Sequence, residues 1–280
     1  MKKLLICLSL LLLCNCQNFG QLTMIADLPK DLEEVSGTEM IIGSDIIWML
    51  NDSGNKSEIF GVSKKGNIKE EIDIKSKNHD WEDLTSDDEG NLYIGDFGNN
   101  LNKRKNLAIL ILDKKDLDDK NADVKKIKFK YPNQDKFPPK KKDLYFDSES
   151  FFYFNNHLYI FTKSRVHDNY GKTSLYKVPA KKGNHTAKLI GKYDNGNDVE
   201  SWITSADISP NKDKVVLLSQ KNILIFSDFK DDNFFSGKVE KITLSHYSQK
   251  EGICFKDANT LLITDEKAQG EGGNLYELKI

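Results

Sequence analysis

One hairpin-sized segment recurs along the chain. Four stretches align without gaps: EDLTSDDEGNLYIGD at 82–96, ESFFYFNNHLYIFTK at 149–163, ADISPNKDKVVLLSQ at 206–220 and EGICFKDANTLLITD at 251–265. Each opens on a polar or small residue, then runs through a short strand, a turn and an apolar strand to a polar residue 14 positions on. A fifth copy, EVSGTEMIIGSDIIWMLN at 34–51, has the same design with a longer first strand and a spacing of 17. Elsewhere short apolar runs alternate with Gly, Asn, Asp and Lys clusters, and helical periodicity is nearly absent. That pattern reads as all-β.

The copies begin 48, 67, 57 and 45 residues apart, which suits a four-stranded blade plus its loops. Two further strand-like runs follow each of the first four hairpins: EIFGV and IKEEIDI, LAILILD and VKKIKFKY, SLYKV and AKLIGKY, ILIFSDF and VEKITL. The last copy has room for only one, NLYELKI. LTMIADL at 22–28 can supply the missing strand, closing the ring and hiding its edges. The expected fold is an all-β propeller of five four-stranded blades, closed by an N-terminal strand. Six blades is the alternative, the extra one falling between Glu82 and Glu149. There, however, KYPNQDKFPPKKKD reads more readily as a proline-broken surface loop. A pair of β-sandwiches would leave the repeat unexplained.

The first residues, MKKLLICLSLLLLCNCQ, have two lysines ahead of a ten-residue apolar run, Leu4 to Leu13. That run is shorter than the roughly 20 residues a spanning helix needs. The cysteine that follows it resembles the cleavage point of a bacterial lipoprotein signal. Cys16, after the small polar Asn15, is the expected lipid attachment site, and an ordinary secretory signal is the competing reading. The expected organisation is a signal at 1–15, a lipidated tether at 16–21 and one propeller domain at 22–280. The protein would then sit in the cell envelope, anchored to the outer membrane and facing the periplasm, with surface display the alternative. Lipid would be its only contact with the membrane.

Loss of Lys2 and Lys3 would leave 39 basic against 43 acidic residues, a net charge near −4. This balance offers no footprint for nucleic acid. Of the four cysteines only Cys16 and Cys254 would remain, so the body holds no disulfide and must rely on its core. Cys254, in GICF, reads as a small buried hydrophobe. A monomer is expected.

Hairpin arithmetic would place the two ends of each segment opposite one another: Glu34 with Asn51, Glu82 with Asp96, Glu149 with Lys163, Ala206 with Gln220 and Glu251 with Asp265. Opposed side chains stand ~5 Å apart at Cβ, where like charges repel. On a propeller these ends share one channel mouth. Such a ring of oxygens suits a hard cation, above all Ca²⁺, which takes 6–8 oxygen ligands. The expected metal ligands are Glu34, Asn51, Glu82, Asp96, Glu251 and Asp265. Around them Asp52, Trp81, Asn99, Asn100, Lys163 and Arg165 would contact a small-molecule or protein ligand. In an enzyme, Glu82, Glu149 and His79 would be the catalytic acids and bases, because crowded carboxylates push one another's pKa upward. The competing reading is that these acids are solvated or paired with Lys163 and Arg165. Zinc spacing and a hydrolase elbow are both absent from the sequence.

The series EVSG, NDSGN, DWEDLT, LYIGDFGNN, DSES, ADISP and QKEGICF, spread over residues 33–280, resembles a group of exported bacterial β-propeller proteins. Its elements are similar to those of calcium-dependent lactonase and gluconolactonase-like, phytase-like and TolB-like propellers. The lactonase-like resemblance implies a Ca²⁺ held by Glu34 and the Asn and Asp residues of the mouth. Three functions follow: a lipid-anchored binding propeller with Ca²⁺ at an acidic mouth, a metal-dependent hydrolase of an ester, lactone or phosphate, or a scaffold without a small-molecule site.

Overall fold

The structure, a computed structural model, describes residues 18–268 and 270–280. The expected signal and the expected lipid site at Cys16 lie outside the described residues. Twenty strands form five antiparallel four-stranded sheets arranged as the blades of a ring, with short parallel additions at two edges. Blade one comprises Val35–Glu39, Ile46–Asn51, Glu58–Ser63 and Ile68–Ile74 from the centre outward, and blade two Trp81–Ser86, Leu92–Asp96, Ala108–Leu112 and Lys125–Lys130. Blade three holds Asp147–Phe154, His157–Lys163, Lys172–Pro179 and Lys188–Asp194, and blade four Ser205–Ile208, Lys214–Leu218, Asn222–Ser227 and Lys238–Thr243. Blade five holds Lys250–Asp257, Thr260–Asp265 and Asn274–Lys279, and its outer strand is Thr23–Asp27 from the start of the chain. The expected count and the expected closure are both observed.

Local chemistry explains the hairpins. In blade three Phe154 pairs with His157 across Asn155 and Asn156, whose φ values are 48° and 60°. Two adjacent left-handed residues make the turn whose twist matches the strands, and asparagine tolerates that conformation better than most residues. The stretch from Tyr131 to Phe146 is the connection it was expected to be, carrying one short 3-10 turn and no blade.

Apolar residues on both faces of the blades form five core clusters, each filling the wedge between two neighbours. Trp48, Ile59 and Ile72 of blade one meet Leu84, Ile94 and Leu110 of blade two. At the closure, Ala26, Leu262 and Leu275 of blade five meet Val35, Met49 and Phe60 of blade one. The chain's first strand therefore contributes to the joint it closes. Cys254 is buried and free in this last wedge, as a small hydrophobe should be.

Inner strands pack around the axis in chain order, and buried polar side chains tie them together. The carboxylate of Asp83 accepts the Phe151 N–H of blade three at 3.3 Å and the Ser205 hydroxyl of blade four at 3.2 Å. Ser205 Oγ accepts the Ile253 N–H of blade five, and Asp207 accepts that of Phe255 at 2.7 Å. Thr38 and Thr264 share a hydrogen bond across the closure. Backbone groups that face a crowded axis rather than a neighbouring strand need such partners.

Candidate binding site at the channel mouth

Inner strands of four blades begin with an irregularity in register. In blade one Val35 pairs with Asn51 and Gly37 with Leu50, leaving Ser36 extra. In blade two Glu82 and Asp83 stand against the single residue Gly95, between the pairs Trp81–Asp96 and Leu84–Ile94. Glu149 is the extra residue of blade three and Glu251 that of blade five. Blade four runs unbroken from Ser205–Leu218 to Ile208–Val215. Each is a β-bulge, a device that re-aims a side chain where pairing ends.

The observed register, bulged in four blades and regular in blade four, corrects the expected pairing. Asp96 pairs with Trp81, Asn51 with Val35, Lys163 with Asp147 and Asp265 with Lys250, while Ala206 pairs with Leu217 rather than Gln220. The glutamates are thereby freed from the ladder. A cavity of about 140 Å³ at the mouth is lined by Ser36, Glu82, Glu149 and Glu251, all bulge residues. Loops add Asp52, Ser53, Asp80, Asn100, Gln249 and Glu266, and Lys163 and Arg165 complete the wall. Six carboxylates thus face two cations.

The two cations are already engaged. Lys163 Nζ contacts Glu149 in a buried ion pair, and Arg165 bridges Asp147 at 2.6 Å and Glu149 at 3.1 Å. Both lie over the ring of Trp202, at 4.9 and 4.8 Å. Burial disfavours the charge of Lys163, but Glu149 and Glu251 hold its pKa above the ordinary lysine value. Arg165 also contacts Asn100.

The other acids are left in excess. Burial, reinforced by Glu149 and Asp80, drives the Glu82 carboxyl well above its ordinary range. Burial followed by the charges of Glu34 and Asp80 lifts Asp52 to about 7. Glu251 rises to about 7 through burial and Glu149, although Lys163 opposes the rise. Glu266 reaches about 9 through burial and then Glu251 and Asp52. Asp80 and Glu82 crowd Gly98: a Cβ there would lie 1.9 Å from Glu82 Oε1 and 2.6 Å from Asp80 Oδ2.

Several expected residues lie elsewhere. Asp96 takes a 2.8 Å bond from Arg104 and a 3.0 Å contact from His79, and neither Asp96 nor His79 lines the cavity. Asp265 accepts the Tyr276 hydroxyl and the Asn274 N–H, both at 2.8 Å. Asn51 donates to the Asp31 carbonyl, and Asn99 braces its turn by accepting the Arg104 N–H and donating to the Phe146 carbonyl. Trp81 is fully buried between blades one and two. Glu34 accepts from Asn55 beside Asp52 without lining the cavity. Ser36, Ser53, Asp80, Gln249 and Glu266 line the cavity but were not among the named site residues. Asp80 stands in the same DWED run as Glu82, whereas Ser53 and Glu266 carry no signal apart from their place just past a second strand.

No protein-family model matches the chain. No curated protein matches it either. Among solved structures, the PQQ-bound form of an aldose sugar dehydrogenase from Streptomyces coelicolor superposes with a TM-score of 0.54 at 9% identity, covering 92% of this chain and 96% of that one. XC5397 from Xanthomonas campestris, described as a gluconolactonase, superposes with a TM-score of 0.51 at 12% identity, covering 92% and 89%. At such identity the likeness shows the propeller fold alone.

Proposed function

We propose that this chain is a lipid-anchored envelope protein whose channel mouth binds Ca²⁺ and, through it, a small-molecule or protein ligand. One observation carries the reading: six carboxylates line a cavity of about 140 Å³ against two cations that are already paired. The donor set is oxygen only, which suits a hard cation. Asp52, Asp80, Glu82, Glu251 and Glu266 would hold it, and Ca²⁺ would offset the burial and mutual repulsion that disfavour their charged forms. No group of three His, Cys, Asp or Glu among the described residues is already disposed to hold a metal, so these side chains would close in on binding. Asn18 lines a cavity that shares Gln249 and Glu266 with the mouth. Lipid carried by Cys16, two residues earlier, would hold the mouth face toward the bilayer.

Thermal melting with added Ca²⁺ tests the site. Saturation at 100 times Kd adds about 2.7 kcal/mol of stability. An unmoved melting curve with Ca²⁺, Mg²⁺ and Mn²⁺ rules the reading out.

A second reading, a metal-dependent hydrolase of an ester, lactone or phosphate, is favoured by the approach of Asp80 and Glu82 to the same point above Gly98. Two carboxylates that crowd one another divide into a proton holder and a base. Chromogenic esters, lactones and phosphates, with Glu82→Gln as control, separate it from simple binding. Turnover that survives Glu82→Gln refutes it.

A further inference from the structure

A second cavity, about 820 Å³, opens on the same face of the ring beside blade three. That volume falls within the range of small-molecule sites, roughly 300–1,000 Å³. Its floor is the mouth end of two paired strands, where Lys172 pairs with Asp194 and Ser174 with Lys192. Its far wall is the connection between blades two and three, which contributes Lys136, Lys140 and Lys142.

The wall is built rather than draped. Tyr176 donates to Asn133 Oδ1 at 2.9 Å, joining floor to wall. Gln134 donates to the Asn102 carbonyl at 3.0 Å, and Phe146 N–H to Asn102 Oδ1 at 2.8 Å. Lys105 lies over the Phe137 ring at 5.0 Å.

Three features of the lining point to one kind of ligand. Among the described residues none of the five lysines has a carboxylate within 4.0 Å. Ser174, only 7% exposed, lines the cavity, and its hydroxyl makes no hydrogen bond among the described residues. It alternates with Leu175, which points toward blade four, so it shares with Tyr176 the face turned toward blade two. Tyr145, Phe146 and Pro139 supply ring surface, and Asp135, Asp143 and Asp194 supply acceptors.

We propose that this cavity binds an acidic sugar, a ring bearing one carboxylate or phosphate. The lysines take the acid group, the aromatic surface takes the C–H face of the ring, and the serine and aspartates take its hydroxyls. The three aspartates oppose a compact anion without hydroxyls, which distinguishes this lining from a plain anion patch. The site is separate from the mouth and does not depend on the Ca²⁺ reading.

Calorimetric titration of the full-length protein at low salt is the test, with glucuronate, glucose 6-phosphate, glucose and inorganic phosphate as probes. One or both acidic sugars should bind tighter than about 1 mM, with glucose and phosphate clearly weaker. Lys142→Glu with Lys192→Glu, both on exposed side chains, should weaken binding by about tenfold or more, with an unchanged circular dichroism spectrum. Should that variant misfold, Ser174→Ala should weaken it by about fivefold, the worth of one hydrogen bond. Absence of binding by both acidic sugars overturns the proposal. Binding of phosphate or glucose as tight as that of the acidic sugars overturns it too, as does affinity unmoved by these substitutions.

Discussion

Asp80 and Glu82 press on one point: an oxygen of each lies within 2.6 Å of where a side chain on residue 98 would begin. Residue 98 is glycine, and the missing side chain leaves room for both acids. Asp80 comes from the loop entering blade two and Glu82 from the bulge of its inner strand, while Gly98 follows the second strand. Three local irregularities thus make one feature of the mouth.

Gly98→Ala should therefore push the two carboxylates apart. Its backbone is not left-handed, so the cost is one of space rather than of φ. Overpacking of this kind costs about 1–3 kcal/mol. Urea denaturation would measure it, and any Ca²⁺ response of the melting curve should weaken in parallel.

Stability without added cation should fall as pH rises from about 4.5 through 7, the Glu266 part continuing to about 9. Asp52 and Glu251, raised to about 7, and Glu266, raised to about 9, bind protons in the folded state that the unfolded chain has already released. The stability these three groups contribute is full below the unfolded carboxylate range near 4 and is lost as pH climbs through the folded values. Lys250, lowered to about 8 by burial, works in the opposite direction only above that pH. Melting curves across the window would show the slope, and Glu266→Gln should flatten it. A flat profile in the parent protein would contradict the assigned burial.

Lys163→Met should destabilise the ring by about 3 kcal/mol, because it strands Glu149 in a buried site. Arg165 retains part of the compensation. The double variant Lys163→Met with Glu149→Gln should recover most of the loss, since no uncompensated charge remains. Chemical denaturation of the two variants gives the comparison.

Deleting the chain up to Asp27 should leave Asn274–Lys279 as an open edge and remove Leu22 and Ala26 from the core. An unpaired edge invites pairing between chains. The denaturation midpoint should drop, and light scattering should show more association than for the intact protein.

The blades were legible because they arise from alternation and turn chemistry, which are local. The run EDLTSDDEGNLYIGD shows its two strands and its turn directly, and LTMIADL could be assigned to blade five because only that blade lacked a strand. The site was legible in part. Asp52, Glu82, Glu149, Glu251, Asn100, Lys163 and Arg165 were expected at the mouth and line its cavity. Pairing Glu82 with Asp96 assumed a regular ladder, and one extra residue in an inner strand defeats that assumption. A buried polar doublet such as Glu82–Asp83, which breaks in–out alternation, is the trace such a bulge leaves.

The amino-acid sequence by itself settled how many hairpins there are, how far apart they lie and that acids stand at the ends of four of them. Short-range sterics and burial alternation act within a few residues, so they can be read along the chain. Which acids meet was decided only when the ring closed. Asp96 turned to Arg104 and Asp265 to Tyr276, while Glu82, Glu149 and Glu251 were turned into a shared cavity. That choice depends on bulge position and on partners brought together by packing, because Coulomb forces and desolvation act through space and not along the chain.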